Sequence, residues 1–259
     1  MRLSLSKLLN LTLPKAGSAE RVVFLKAQPF AHRGLHGGPI VENSRAACLA
    51  AIDVGHGIEL DVQLASSGEP VVFHDALLDR LTTKTGRLAD RNADELAAIK
   101  LAGTDETIPL LSQILALVAG RVPLLIEIKT DGASLNLICL AVRRALEGYR
   151  GDAAVMSFDP GVARWFGEHA KRLPRGLVMT MPPQPKRIGR MQQALKARLA
   201  LARAKPDFVA YNIDHLPGAL PSALRARGLP LLTWTVRSAA QEHVALVCAD
   251  EIIYEKPSD

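Results

Sequence analysis

Short apolar runs rich in β-branched residues alternate along the chain with longer segments whose apolar positions recur at helical spacing. The short runs are Pro29–His32, Ile58–Val62, Leu124–Lys129, Ala153–Phe158, Gly176–Met179, Phe208–Asn212, Leu231–Val236 and Glu251–Tyr254. The helical segments include Ser44–Val54, Leu110–Ala119, Ser134–Leu146, Pro160–Lys171, Arg187–Ala204, Ala219–Arg227 and Ala239–Val247. Strands separated by helices predict parallel βα units. Eight of them predict a single (β/α)8 TIM barrel rather than an open sheet, and the 259-residue length suits one such domain, which typically takes about 250 residues.

One apolar run breaks the rhythm. Pro70–His74 follows the Ile58 strand too closely for a parallel crossover, so it is expected to return as the second arm of a hairpin. A two-residue turn at Ser67-Gly68 would make direct partners of residues whose numbers sum to 135, and Asp61 would then face His74. The segment Asp75–Leu117 follows as a small insertion ahead of the Leu124 strand. Residues 1–27 form an N-terminal extension, expected to pack on the barrel domain of residues 28–259. Their mixture of Arg2, Lys7 and Lys15 with leucines resembles neither a clean signal peptide nor a spanning segment.

Composition narrows the function classes. A hydrophobic content of 48% supports a large core, and a net charge of +6 favours anionic partners only weakly. Much of the positive charge falls between Lys186 and Lys205, where Leu195, Leu199 and Leu201 are interleaved, as on a helix with a solvated basic face. Aromatic residues make up 4% of the chain, too few for the stacking platforms of a nucleic-acid binder, and no nucleic-acid partner is expected. Cys48, Cys139 and Cys248 show no metal-ligand or disulfide spacing and read as reduced thiols in a cytoplasmic protein.

The candidate chemistry lies at strand ends, where barrel enzymes collect their active residues. Glu59 and Asp61 are two apart on one strand and share a face, while Ile58, Leu60 and Val62 point the other way. Two such carboxylates are costly to desolvate without a cation between them. Glu127 and Lys129 repeat the pattern on the Leu124 strand. A third carboxylate completes an all-oxygen cage of the kind that holds Ca²⁺ or Mg²⁺; an internal Glu127–Lys129 salt bridge is the plainer alternative. His32 ends the first strand and His74 the hairpin, so two imidazoles could exchange protons at one site. Arg33 offers a planar fork of donors suited to phosphate oxygens.

These residues sit in motifs that resemble the glycerophosphodiester phosphodiesterase family, among the phospholipase C-like phosphodiesterase barrels. The matches are Ala31-His32-Arg33-Gly34, Glu42-Asn43-Ser44, Glu59-Leu60-Asp61-Val62, Val71-Val72-Phe73-His74-Asp75, Ile108-Pro109-Leu110, Glu127-Ile128-Lys129, Ser157-Phe158-Asp159-Pro160 and Thr233-Trp234-Thr235-Val236. They occur in the family's order from about Phe30 to Val236, and the ordered set is specific where any one motif is not.

The resemblance implies a (β/α)8 barrel that hydrolyses a small glycerophosphodiester to glycerol 3-phosphate and an alcohol. It implies one divalent cation, Ca²⁺ or Mg²⁺, held by Glu59, Asp61 and Glu127, with His32 and His74 as the acid–base pair. Arg33 and Lys129 would bind phosphate, Glu42 would orient the substrate or His32, and Trp234 would line the substrate site. The chain departs from the family at Val41 and Ser44, at Arg237, and in Tyr254-Glu255, which replace a small hydroxyl and a shorter acid at the rim of the last strand. Two rival functions keep the barrel. A lysophospholipase D-like enzyme would dock its amphipathic N-terminus and basic helix weakly on an anionic membrane. A non-catalytic phosphodiester sensor would need a defect in the acidic and histidine cluster, and the sequence shows none.

Overall fold

The computed structural model describes residues 13–14, 19–130, 134–180 and 187–256. The fold class is the (β/α)8 barrel. Its strands are β1 (Phe30–Ala31), β2 (Gly57–Leu64), β3 (Pro70–Val72), β4 (Leu124–Ile128), β5 (Ala153–Ser157), β6 (Arg175–Met179), β7 (Phe208–Asn212), β8 (Leu231–Val236) and β9 (Glu251–Tyr254). The ladder runs β1-β9-β8-β7-β6-β5-β4-β2-β3, and β1 also pairs with β2. Eight of the nine are the strands expected from the sequence, and β3 is the antiparallel hairpin arm.

The helices are α1 (Arg45–Asp53), α2 (Ala93–Ala97), α3 (Leu111–Val118), α4 (Leu135–Ala145), α5 (Pro160–His169), α6 (Arg187–Ala204), α7 (Ala219–Arg225) and α8 (Ala239–Cys248). The starts of α1 and α5 follow from capping chemistry. Ser44 accepts from the Ala47 amide ahead of α1, and Asp159 from the Gly161 amide ahead of α5, with Pro160 placed where no helical N–H is needed.

The chain divides into two compact units, residues 28–156 with 253–259 and residues 1–27 with 157–252. In the first, β2 lies between β1 and β4 in parallel register, with Asp61 opposite Glu127. Every residue of β2 and β4 is buried, which explains their near-continuous apolar character outside the acidic positions. The insertion shares a core with the hairpin: Leu78, Leu88, Leu96, Leu101 and Ile108 pack together with Val71 and Phe73.

In the second unit, β6, β7 and β8 run parallel over a core of Leu177, Leu201, Val209, Leu224 and Leu231. Leu13 is buried in the same core, and Arg21 pairs with Asp207 at 2.8 Å. Residues 1–12 and 15–18 lie outside the described residues, so most of the expected N-terminal extension does too. Of the three leucines expected along the basic helix, Leu201 is buried whereas Leu195 and Leu199 are exposed. Cys48 and Cys139 are buried free thiols, and Cys248 is a free thiol partly open to solvent.

The expected hairpin register is wrong by one residue. Val62 pairs with Val72, Gln63 with Val71 and Leu64 with Pro70, so partner numbers sum to 134. The connection is a three-residue loop, Ser66-Ser67-Gly68: the Gly68 amide donates to Ala65 O at 3.0 Å and the Ala65 amide to Glu69 O at 2.9 Å. Gly68 takes its positive φ of 98° as the last loop residue, the common three-residue hairpin, rather than as half of a two-residue turn. Asp61 therefore stands opposite Phe73, whose amide donates to Asp61 O at 3.0 Å, and not opposite His74.

Candidate active site

The site is built within the first unit, where β1, β2, β4, β9 and the hairpin end. After Ala31 the chain turns sharply. Arg33 has φ 55° and Gly34 φ 77°, and a Cβ at Gly34 would come within 2.7 Å of the Ala47 Cβ on α1. This turn aims the Arg33 amide at Glu59 Oε2, 2.9 Å away. Asn43 also adopts a left-handed conformation, φ 57°, which asparagine tolerates better than most residues. Its side chain grips Asp61 twice: Nδ2–H donates to Oδ2 at 2.9 Å, and Oδ1 accepts from the Asp61 amide at 3.2 Å.

Glu59, Asp61 and Glu127 come together as the sequence pattern predicts. Each is buried, and one carboxylate oxygen from each lies within 4.8 Å of the others. Lys129 Nζ is 2.9 Å from Asp61 Oδ1 and also donates to Glu127 Oε1. Arg33 Nε stands 3.3 Å from Asp61 Oδ2 without an aligned hydrogen bond. The Glu127–Lys129 salt bridge is therefore real, and it is not the whole account. Three carboxylates face two cationic groups, and Glu59 Oε1 is buried with no hydrogen-bond partner.

The electrostatics are uneven. Burial and the neighbouring Asp61 and Glu127 push the Glu59 carboxyl well above the usual carboxylate range. Burial drives Glu127 up to about 7 despite the opposing pull of Lys129. Asp61, equally buried, is nevertheless held at about 2 by Lys129, Arg33 and His74. A buried oxygen cluster of this kind, with one oxygen orphaned and two carboxyls strained by repulsion, fits a hard divalent cation.

His32 lies against the cluster, with Nε2 3.9 Å from Glu59 Oε2 and Nδ1 2.5 Å from Glu255 Oε1. Burial lowers its pKa, which favours the neutral ring. The β1–β9 pairing explains Glu255. Ala31 is in register with Tyr254, and the His32 amide donates to Tyr254 O at 2.8 Å, so the next residue along reaches the imidazole. The Tyr254 hydroxyl turns elsewhere, to His56 Nδ1 at 2.6 Å.

His74 reaches the site by a route that the sequence did not suggest. The strand ladder ends at Val72, and the buried Gln63 amide takes over: Nε2 donates to Phe73 O at 2.9 Å and to Asp75 O at 2.7 Å. The His74 peptide is thereby bracketed from the side of β2. Its Nδ1 lies 2.6 Å from Asp75 Oδ1. Arg80, from the insertion, ties the two halves of the site together. It donates from Nε to Asp75 Oδ2 at 2.6 Å and from Nη1 and Nη2 to Glu42 at 3.0 and 2.8 Å. Arg33 Nη1 donates to the same Glu42 oxygen at 2.7 Å. Burial alone would raise the Glu42 pKa; Arg80 and Arg33 outweigh it and lower it.

Of the residues expected at the site, His32, Arg33, Glu42, Glu59, Asp61, His74, Glu127 and Lys129 thus all lie in this unit. Trp234 belongs to the second, on β8, where its Nε1–H donates to Ala210 O at 3.1 Å and its ring meets Phe158 edge-on. Asn43, Gln63, Arg80 and Glu255 complete the network without having been assigned roles from sequence. Gln63 was legible in principle, as the next same-face position after Glu59 and Asp61.

Comparison with known proteins places the fold in a family. Residues 32–257 match the model of the glycerophosphoryl diester phosphodiesterase family. The chain is 37% identical to YhdW of Bacillus subtilis over 217 residues, 80% of this chain and 85% of that one. It is 28% identical to a glycerophosphodiester phosphodiesterase of Caldanaerobacter subterraneus over 246 residues, 90% of this chain and 96% of that one. Among solved structures, a family protein from Silicibacter pomeroyi superposes with a TM-score of 0.77 at 24% identity, covering 92% of this chain and 94% of that one. An Oleispira antarctica phosphodiesterase bound to sn-glycerol-3-phosphate gives 0.73 at 22% identity, covering 88% and 92%.

Proposed function

Since the chain belongs to the glycerophosphoryl diester phosphodiesterase family, we propose that it hydrolyses a glycerophosphodiester to glycerol 3-phosphate and an alcohol at this site. The observation that carries the reading is the cluster of three buried carboxylates beside two histidines, each histidine with its own carboxylate partner.

Glu59, Asp61 and Glu127 hold one divalent cation, Ca²⁺ or Mg²⁺. When bound, it supplies positive charge against the phosphodiester oxygens. Arg33 and Lys129 set further positive charge beside that position, and Glu42 keeps the Arg33 guanidinium in place. His32 and His74 act as the acid–base pair, one taking the proton of the attacking oxygen and the other giving a proton to the leaving alkoxide. Glu255 fixes the ring of His32 through Nδ1, as Asp75 does for His74, so each exchanges protons through its other nitrogen. Family resemblance alone assigns Trp234 a part in substrate binding.

The test is turnover of a panel of glycerophosphodiesters by His32→Ala and His74→Ala, with EDTA treatment and separate Mg²⁺ and Ca²⁺ add-back for the native enzyme. Both variants should fold and lose about 10²–10⁴-fold in kcat, the usual contribution of general acid–base catalysis. Native-like turnover in both would refute the site.

A second reading, a lipid phosphodiester as substrate, is favoured by α6. There Leu195 and Leu199 are exposed beside the exposed Lys196 and Arg203. A crevice of about 420 Å³ is lined by Phe158, Leu177, Met179, Ala197 and Ala200 in the same unit. Sedimentation with anionic vesicles, compared with Leu195→Ser/Leu199→Ser, separates this reading from the first. No described helix is long and apolar enough to cross a membrane.

A further inference from the structure

We propose that His32, His36 and Glu255 form a second metal site, one that takes a borderline transition-metal cation such as Zn²⁺ and inhibits the enzyme by occupying His32. One donor atom from each of the three lies within 4.8 Å of the other two. The set is separate in composition from Glu59, Asp61 and Glu127, with two imidazoles and one carboxylate against three carboxylates. That difference sorts cations: an all-oxygen cage suits Mg²⁺ or Ca²⁺, whereas imidazole donors favour zinc and its neighbours.

The backbone makes the meeting of these residues a consequence of the fold. The positive φ values at Arg33 and Gly34 turn the chain out of β1, the Leu35 amide donates to Ala47 O at 2.9 Å, and the His36 amide donates back to Gly34 O at 2.9 Å. His36 is thereby brought back toward His32. Glu255 arrives from the neighbouring strand, one residue beyond the Ala31–Tyr254 pair. Zinc–ligand bonds of about 2.0–2.2 Å place tetrahedral donors roughly 3.4 Å apart. The observed spread calls for small rotations of three side chains, of which His36 and Glu255 are only partly buried. Three protein ligands would leave the fourth position for water.

The chemical effect follows from which nitrogen is used. His32 Nδ1 faces Glu255 at 2.5 Å, and Nε2 faces Glu59. A cation on Nδ1 leaves Nε2 as an N–H donor with no lone pair free to take up a proton. This inhibitory half rests on the proposed role of His32 as a proton carrier; the binding half does not.

The experiment uses the full chain with Mg²⁺ in millimolar excess to occupy the carboxylate cluster. Zn²⁺ is titrated calorimetrically, and its ligands are read from the zinc X-ray absorption edge. The expected result is one Zn²⁺ per chain with two imidazole ligands. His36→Asn and Glu255→Gln should each weaken binding tenfold or more, while the exposed His243→Asn leaves it unchanged. Turnover of native enzyme should fall as Zn²⁺ saturates. His36→Asn should keep its Mg²⁺-supported activity and need at least tenfold more Zn²⁺ for the same inhibition; His36→Gln serves if the first variant folds poorly. Native-like Zn²⁺ affinity in both His36 variants, or a bound zinc with oxygen ligands only, overturns the site. Stoichiometric, His36-dependent Zn²⁺ binding that leaves turnover intact would uphold the site and refute the role assigned to His32.

Discussion

Gln63 offers a sharp test of how the active site is held, because its side chain does what a strand ladder would otherwise do. Its amide is buried and gives one hydrogen bond to Phe73 O and one to Asp75 O, on either side of the His74 peptide. Gln63→Leu keeps the volume and removes both donors. Each intramolecular hydrogen bond is worth about 1 kcal/mol net, and a carbonyl left buried and unpaired costs about 1–3 kcal/mol. Two such losses, softened because Asp75 is partly open to water, predict destabilisation of about 2–4 kcal/mol. For a domain of this size that is a fall in Tm of roughly 4–16 °C. The same change frees the His74 backbone; with His74 in its proposed role, a displacement of about 1 Å can cost 10²-fold. Scanning calorimetry and steady-state kinetics on the metal-loaded enzyme read the two effects separately. The expected result is a lower Tm together with a kcat reduced by about 10–100-fold and a KM within about threefold of native. A lower Tm with native kcat would make Gln63 a packing residue and refute the positioning argument. A Tm within about 2 °C of native would refute the hydrogen-bond accounting itself.

Further outcomes follow from the same network. Arg80→Met removes the donors that join Asp75 to Glu42, but Arg80 is 47% exposed and water screens its charge, so stability should fall by no more than about 1 kcal/mol. Turnover should fall about tenfold, with Arg80→Lys recovering only part, since one ammonium cannot match a fork that bonds two carboxylates; full activity in Arg80→Met would remove it from the site. Saturating Mg²⁺ or Ca²⁺ at about 100 times its Kd should raise the stability of chelator-treated protein by about 2.7 kcal/mol, read as a rise in Tm. Glu59→Gln should abolish most of that rise, and an equal rise in the variant would dissociate the cation from the cluster. Gly34→Ala should destabilise strongly, because φ is positive and the new Cβ would meet the Ala47 Cβ and backbone; a native Tm would contradict the turn geometry.

The local pattern carried much of this protein. The alternation of short apolar runs with helical segments placed the barrel strands, because strands buried on both faces must be apolar along their length. Period-two alternation on β2 and β4 put Glu59, Asp61, Glu127 and Lys129 on shared faces, and side-chain direction on a strand is a local property. The ordered motifs marked His32 and His74 as candidates and identified the family. These are statements about neighbours in sequence, and the strand positions and the family stand.

What needed the tertiary structure were relations between segments. Hairpin register depends on how many residues the loop contains, and one residue decides which side chain opposes which; Ser66-Ser67-Gly68 moved the partner of Asp61 from His74 to Phe73. His74 still reaches the site because Gln63 extends from β2 to hold its backbone, a bond between residues ten and twelve apart. Arg80 binds both Asp75 and, 38 positions back along the chain, Glu42, and Glu255 meets His32 across 223, because β9 pairs with β1. Composition and periodicity describe what each segment presents to its surroundings. Which segments then face one another, at ångström spacing, is decided only when the strands are paired and the loops are closed.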